Sequence, residues 1–141
     1  MSNDHGTNDA GGPTTCPACG GDVVRFPVPP ALRRYAPDAG AAAVCVVCLR
    51  THAASEAPSE PTFESIHPAF PTGEAGAAFA LTLGLLDSLA LRRDAVDDCC
   101  AHAERAGADV LLTLDRLADA EGIEPHVDLD RRRRQLAELL R

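Results

Sequence analysis

Lysine is absent from the 141 residues, so all thirteen basic side chains are arginine. Tryptophan is also absent, tyrosine occurs once, and aromatic residues make up only 4% of the chain. Six cysteines are too few for a disulfide-packed scaffold at this length. No apolar run approaches the roughly 20 residues needed to span a bilayer. Residues 1–12 lack the basic and apolar regions of a secretory signal. No Gly-rich phosphate loop, internal repeat or catalytic pair of carboxylates can be found. These absences lead to the expectation of a cytoplasmic protein without membrane association. The length suits one ordinary domain or two small ones. In that compartment paired cysteines are metal ligands or redox groups more often than staples.

Acids outnumber bases 21 to 13, a formal charge of −8. Such a chain repels phosphate backbones in ordinary buffer. The same composition suits a salt-saturated cytoplasm, where a Debye length of about 3 Å screens repulsion between carboxylates. GC-rich codon usage also favours Arg over Lys, but it leaves the acid excess unexplained. The charge is uneven. Residues 14–53 hold Arg25, Arg33, Arg34 and Arg50 against Asp22 and Asp38, whereas residues 72–141 hold nine arginines against fourteen acids.

The composition divides the chain into a disordered tail (1–13), a cysteine-bearing segment (14–53), a linker and packing segment (54–71) and a helical domain (72–141). Within the third, residues 54–62 have linker composition, and Phe63, Ile66 and Phe70 lie in a Pro-bounded stretch expected to be extended. Four helices are predicted from their stop signals. The first spans about Glu74–Leu89 after Thr72, and is uncharged from Ala75 to Leu86. The second spans about Arg93–Ala106 before Gly107, with the stripe Val96, Cys99, Cys100 and Ala103. The third follows Asp109 as N-cap, runs to Gly122, and carries Val110, Leu111, Leu114, Leu117 and Ala118. The fourth runs from near Asp128 to Leu140, with Leu129, Leu136, Leu139 and Leu140 on its apolar side. Short connections favour antiparallel neighbours in a small bundle.

The sharpest pattern is Cys16-Pro17-Ala18-Cys19-Gly20 followed by Cys45-Val46-Val47-Cys48. Two cysteines separated by two residues fold over one ion in a tight knuckle. Gly20 allows the turn to curl so that backbone N–H groups point at the thiolates. Two knuckles supply four ligands to a closed tetrahedral site, so Cys16, Cys19, Cys45 and Cys48 are the candidate ligands of one structural Zn2+. Four thiolates leave no open position for a catalytic water. A segment of about 40 residues buries too little to fold alone, so the metal would supply much of its stability. Val23, Val24, Phe26 and Val28 read as one strand and Ala42–Val47 as another, with Leu32 and Tyr35 packing nearby. Alternatives are a rubredoxin-like iron site, a thioredoxin-like redox pair and disulfides. His52 offers a nitrogen in place of a sulfur, but four cysteines already complete the set.

Other features have plainer readings. Cys99 and Cys100 lie on an apolar stripe, where free cysteine behaves as a small hydrophobe, and His102 beside them is expected on the polar side, one turn after Asp98. Arg131–Arg134 suggest a phosphate patch. Helical spacing instead pairs Asp128 with Arg132 and Asp130 with Arg134, and lays the Arg133 stem beside Leu129 and Leu136. Glu64, His67 and Glu74 lack a nucleophile, and His67, before Pro68, is expected to be extended and hydrogen-bonded to the helical part. The uncharged first helix is either the centre of the bundle or the seam of a homodimer.

The motif Cys16-Pro17-Ala18-Cys19-Gly20 with Cys45-x-x-Cys48, on a lysine-free acidic background, resembles small zinc-ribbon proteins of the CPxCG type from halophilic archaea. Phe63-Glu64-Ser65-Ile66-His67-Pro68 and Leu114-Asp115-Arg116-Leu117 are similar to stretches of one uncharacterised family of that group, and the resemblance covers residues 14–141. Leu49 departs from it, standing where a second glycine-supported knuckle has Gly. The resemblance implies a docking module for protein or nucleic acid. The resulting expectation is an α+β chain, a zinc ribbon followed by about four helices. It is read as a non-catalytic adaptor or regulatory module with a protein partner. The alternatives are nucleic-acid binding through Arg25, Arg33, Arg34 and Arg50, or a metal/redox role.

Overall fold

The computed structural model describes residues 15–36 and 40–140. The predicted disordered tail (1–13) lies outside the described residues. Three antiparallel strands form one sheet in the order β1-β2-β3: β1 (Val23–Pro27), β2 (Ala41–Cys45) and β3 (Thr51–Ala54). Among the described residues four α-helices follow: α1 (Gly73–Leu85), α2 (Arg93–Arg105), α3 (Val110–Ala118) and α4 (Leu129–Leu139). Short 3-10 turns occupy Pro30–Tyr35, Phe63–Ser65 and Leu86–Ser88. The α+β architecture is therefore the one expected. No helix among the described residues is long and apolar enough to cross a membrane.

Strand alternation decides which face carries what. Val24 pairs with Val44 and Phe26 with Ala42, and all four are buried in the main core. Val23 pairs with Cys45, Arg25 with Ala43, and His52 with Ala43, which places these residues on the opposite face. The sheet thus has the helices on one face and the cysteine cluster on the other.

The four phenylalanines of the chain bridge sheet and helices. Phe26, Phe63, Phe70 and Phe79 make successive ring contacts with centroids 5.6, 5.1 and 5.2 Å apart. Helix α1 crosses this core and is buried from Ala75 to Leu83. Two glycines permit its close approach. A Cβ on Gly76 would meet Phe63 at 2.5 Å, and one on Gly84 would meet Thr51 of β3 at 2.7 Å. Thr51 Oγ1 donates to the Ala80 carbonyl at 2.9 Å, locking β3 to α1. The apolar helix is thus covered within one chain.

Several sequence expectations need correction. The first helix ends at Leu85, because i→i+3 bonding tightens the chain into the turn Leu86–Ser88. Leu89 is nonetheless buried as its stripe predicted. The second strand stops at Cys45, since Val46 and Val47 belong to the knuckle, and Val28 lies beyond β1. The chain expected to become linker at residue 54 still forms β3 there. Phe63–Ser65 is helical where an extended stretch was expected, although Phe63, Ile66 and Phe70 are buried. His67 takes its partner locally, accepting from the Ala69 N–H at 2.9 Å, and does not reach the helices. The third helix ends at Ala118, short of Gly122. The chain leaves it early because Glu124 and His126 N–H groups reach the carbonyls of Val47 and Cys48, at 2.8 and 2.9 Å.

Polar expectations fared unevenly. Asp109 caps α3 by accepting from Leu112 N–H at 3.0 Å, and Asp128 caps α4 by accepting from Arg131 N–H at 3.1 Å. With Asp128 engaged there, neither expected Asp–Arg pair within α4 closes among the described residues. Arg133 turns instead to α3, 2.7 Å from Asp115 and 3.2 Å from the Leu111 carbonyl. His102 binds Glu74 of α1, while Asp98 accepts from the Tyr35 hydroxyl.

Candidate metal centre

The two knuckles share one backbone design. In the first, Cys16 N–H donates to Gly21 carbonyl at 2.7 Å and Gly20 N–H returns to Cys16 carbonyl at 2.8 Å. In the second, Cys45 N–H donates to Arg50 carbonyl at 2.9 Å and Leu49 N–H returns to Cys45 carbonyl at 3.1 Å. Gly20 and Leu49 occupy the same position in these loops, and both have positive φ, +82° and +64°. Glycine meets that requirement without steric conflict. Leu49 meets it at a strain of about 1–2 kcal/mol. Its side chain is fully buried in the helical core. Burial of a leucine contributes roughly 1.5–3 kcal/mol, enough to offset that strain. The departure from glycine therefore ties the second knuckle to the helices without altering the loop.

Pairing of Val23 with Cys45 and the bond from Val46 N–H to Asp22 carbonyl (2.9 Å) bring the knuckles together. The Sγ atoms of Cys16, Cys19, Cys45 and Cys48 all lie within 4.8 Å of one another. Cys16 and Cys48 sulfurs are 3.7 Å apart, and Cys19 and Cys45 sulfurs 3.4 Å. A tetrahedral ion with bonds of about 2.3 Å to sulfur places its ligands about 3.8 Å apart, so the group can hold a metal ion. Cys16, Cys45 and Cys48 are buried and Cys19 is exposed.

Backbone N–H groups surround the sulfurs as the knuckle reading anticipated. Ala18 and Gly21 donate to Cys16 and Cys19, both at 3.4 Å. Val47 and Cys48 donate to Cys45 at 3.3 and 3.4 Å. Burial raises the Cys16 thiol, but N–H groups of Cys19 and Ala18, with hydrogen bonds to His52 and Cys48, outweigh it and bring the pKa to about 6. Burial dominates at Cys45 and pushes it up to about 12. Burial also raises Cys48, against hydrogen bonds from the Arg50 backbone and side chain. An incoming cation would therefore displace protons from Cys45 and Cys48.

Sequence reasoning weighed His52 only as a substitute ligand, not as an outer neighbour of the sulfurs, and missed His126. His52 contributes no ligand to the four-sulfur group, yet its Nε2 is 3.4 Å from Cys16 Sγ. His126 Nδ1 lies 2.9 Å from the Cys48 carbonyl, beside its own backbone bond to the same oxygen. His52 was discoverable from its place, four residues past Cys48, on the return strand of the knuckle. Nothing local announces His126.

Cys99 and Cys100 stand apart from this cluster. Both are fully buried on α2, as the apolar stripe predicted. Burial pushes their thiols up to about 12 and about 11.

Residues 15–140 match the profile of a family of unknown function, DUF6276. No curated protein and no solved structure matches the chain. With nearly its whole length spanned by that profile, the chain belongs to the family of unknown function DUF6276.

Proposed function

We propose that this is a non-catalytic zinc-ribbon protein whose one structural Zn2+ is held by Cys16, Cys19, Cys45 and Cys48, and that it serves as an adaptor for a protein partner. The observation that carries this reading is the convergence of four sulfurs, from two knuckles of like geometry, within 4.8 Å. An all-thiolate donor set suits zinc and closes the coordination sphere, leaving no position for a reacting water. The metal's contribution is then folding free energy, spent on shaping the ribbon face. We read the acid excess as an adaptation to a salt-rich cytoplasm, as in the halophilic CPxCG proteins that the sequence resembles.

Charge favours a protein partner over nucleic acid. The net charge is −8, and one of the four candidate arginines is engaged elsewhere. Arg34 stacks on the Tyr35 ring and lies 3.9 Å from Asp98. Two assays test the reading together. Thiol titration should find the four ligand sulfurs unreactive until chelator is added, whereas a redox protein would react at once. Duplex DNA titrated at two salt concentrations should show no binding. Affinity that falls steeply with salt would support the phosphate-contact alternative.

A further inference from the structure

We infer that His52 is the outer hydrogen-bond donor that holds Cys16 on the metal and sets how tightly and how inertly the centre binds; this rests on the metal-site reading above. The strand register carries the argument first. His52 pairs with Ala43, two residues before Cys45 on β2, so alternation puts His52 on the face that bears the cluster. Its neighbour Thr51 faces the other way and is held by the Ala80 carbonyl of α1, which fixes the strand's rotation. The imidazole is half-buried, and its Nε2 lies 3.4 Å from Cys16 Sγ.

The chemistry follows from charge. Four thiolates around a divalent ion leave a net charge of −2, and three of these sulfurs are buried. Such a centre needs N–H donors to disperse that charge. A thiolate has no proton to give, so with Cys16 ionised the ring must carry its proton on Nε2 and donate it. Donation draws charge from sulfur. The Cys16–metal bond is thereby protected from electrophiles and from exchange. His52 acts through Cys16 and is a positioning residue, with no bond to the metal.

The test uses the full chain loaded with Co2+ alone, compared with His52→Val and His52→Gln. Valine keeps a strand-favouring β-branched side chain but removes the donor. Glutamine restores an N–H. In His52→Val the sulfur-to-cobalt charge-transfer band should move to lower energy, and affinity in competition with a chelator should fall about 10–100-fold. Iodoacetamide should alkylate the loaded site faster. His52→Gln should recover part of all three changes. A merely structural role would leave valine at least as good as glutamine. Equal bands and affinities in all three proteins, or equal loss in both variants, would overturn the donor role while leaving the metal site intact. So would a wild-type spectrum of three sulfurs and one nitrogen. A wild-type chain that takes up no Co2+ would overturn the metal-site reading itself.

Discussion

Replacing Leu49 by alanine and by glycine should give stabilities in the reverse of their usual order. Leu49 is fully buried in the helical core and has φ +64°. Truncation to alanine removes that packing and leaves a cavity, at about 2–5 kcal/mol for a buried leucine. It leaves the left-handed strain in place, since alanine still carries a Cβ. Glycine loses the same packing but relieves about 1–2 kcal/mol of strain. Against this, glycine loses more chain entropy on folding, about 0.5–1 kcal/mol. At the middle of each range the balance favours Leu49→Gly over Leu49→Ala by about 0.75 kcal/mol, although both are less stable than wild type. Urea unfolding at fixed free zinc reads the difference as a shift in midpoint at constant slope. A Leu49→Ala protein as stable as Leu49→Gly, or more so, would refute the argument that the second knuckle demands a left-handed residue.

Asp109→Ala should destabilise the protein by about 0.5–2 kcal/mol, because the Leu112 N–H loses its acceptor, as seen in the same urea titration. Alkali should unfold the metal-loaded protein through Cys99 and Cys100. The native state holds their protons to about 12 and about 11, while the unfolded chain releases them near the ordinary value of 9.0, so stability is full below pH 9 and falls as pH rises through that window. A Cys99→Ala, Cys100→Ala double variant should flatten this limb of a pH–melting curve. Thermal stability should rise between low and molar KCl as repulsion within a chain of charge −8 is screened. A melting temperature independent of salt would contradict that.

What was legible in the sequence was whatever a local pattern encodes. The Cys-x-x-Cys pairs, the cap at Asp109, and the stripe through Cys99 and Cys100 each depend on neighbours a few residues away. Strand β3 was missed because Thr51-His52-Ala53-Ala54 has no apolar alternation, and the strand is defined by its pairing to β2. The early end of α3 was missed for a related reason. Glu124 and His126 find hydrogen-bond partners on Val47 and Cys48, far away in the chain, and these outweigh further helical turns. The arginine run illustrates the same limit. Spacing offers Arg133 only partners on its own helix, but tertiary packing brings Asp115 of α3 within 2.7 Å. Leu49 is the subtlest case, since its departure from glycine makes sense only once its burial is known.

Elemental analysis of the full chain, purified without added metal, is the most direct test of whether the four sulfurs share one ion. The account predicts one zinc and no iron per chain, lost on Cys45→Ser together with the cooperative melting of the strands. Protein that is folded, cooperative and free of transition metal would contradict it.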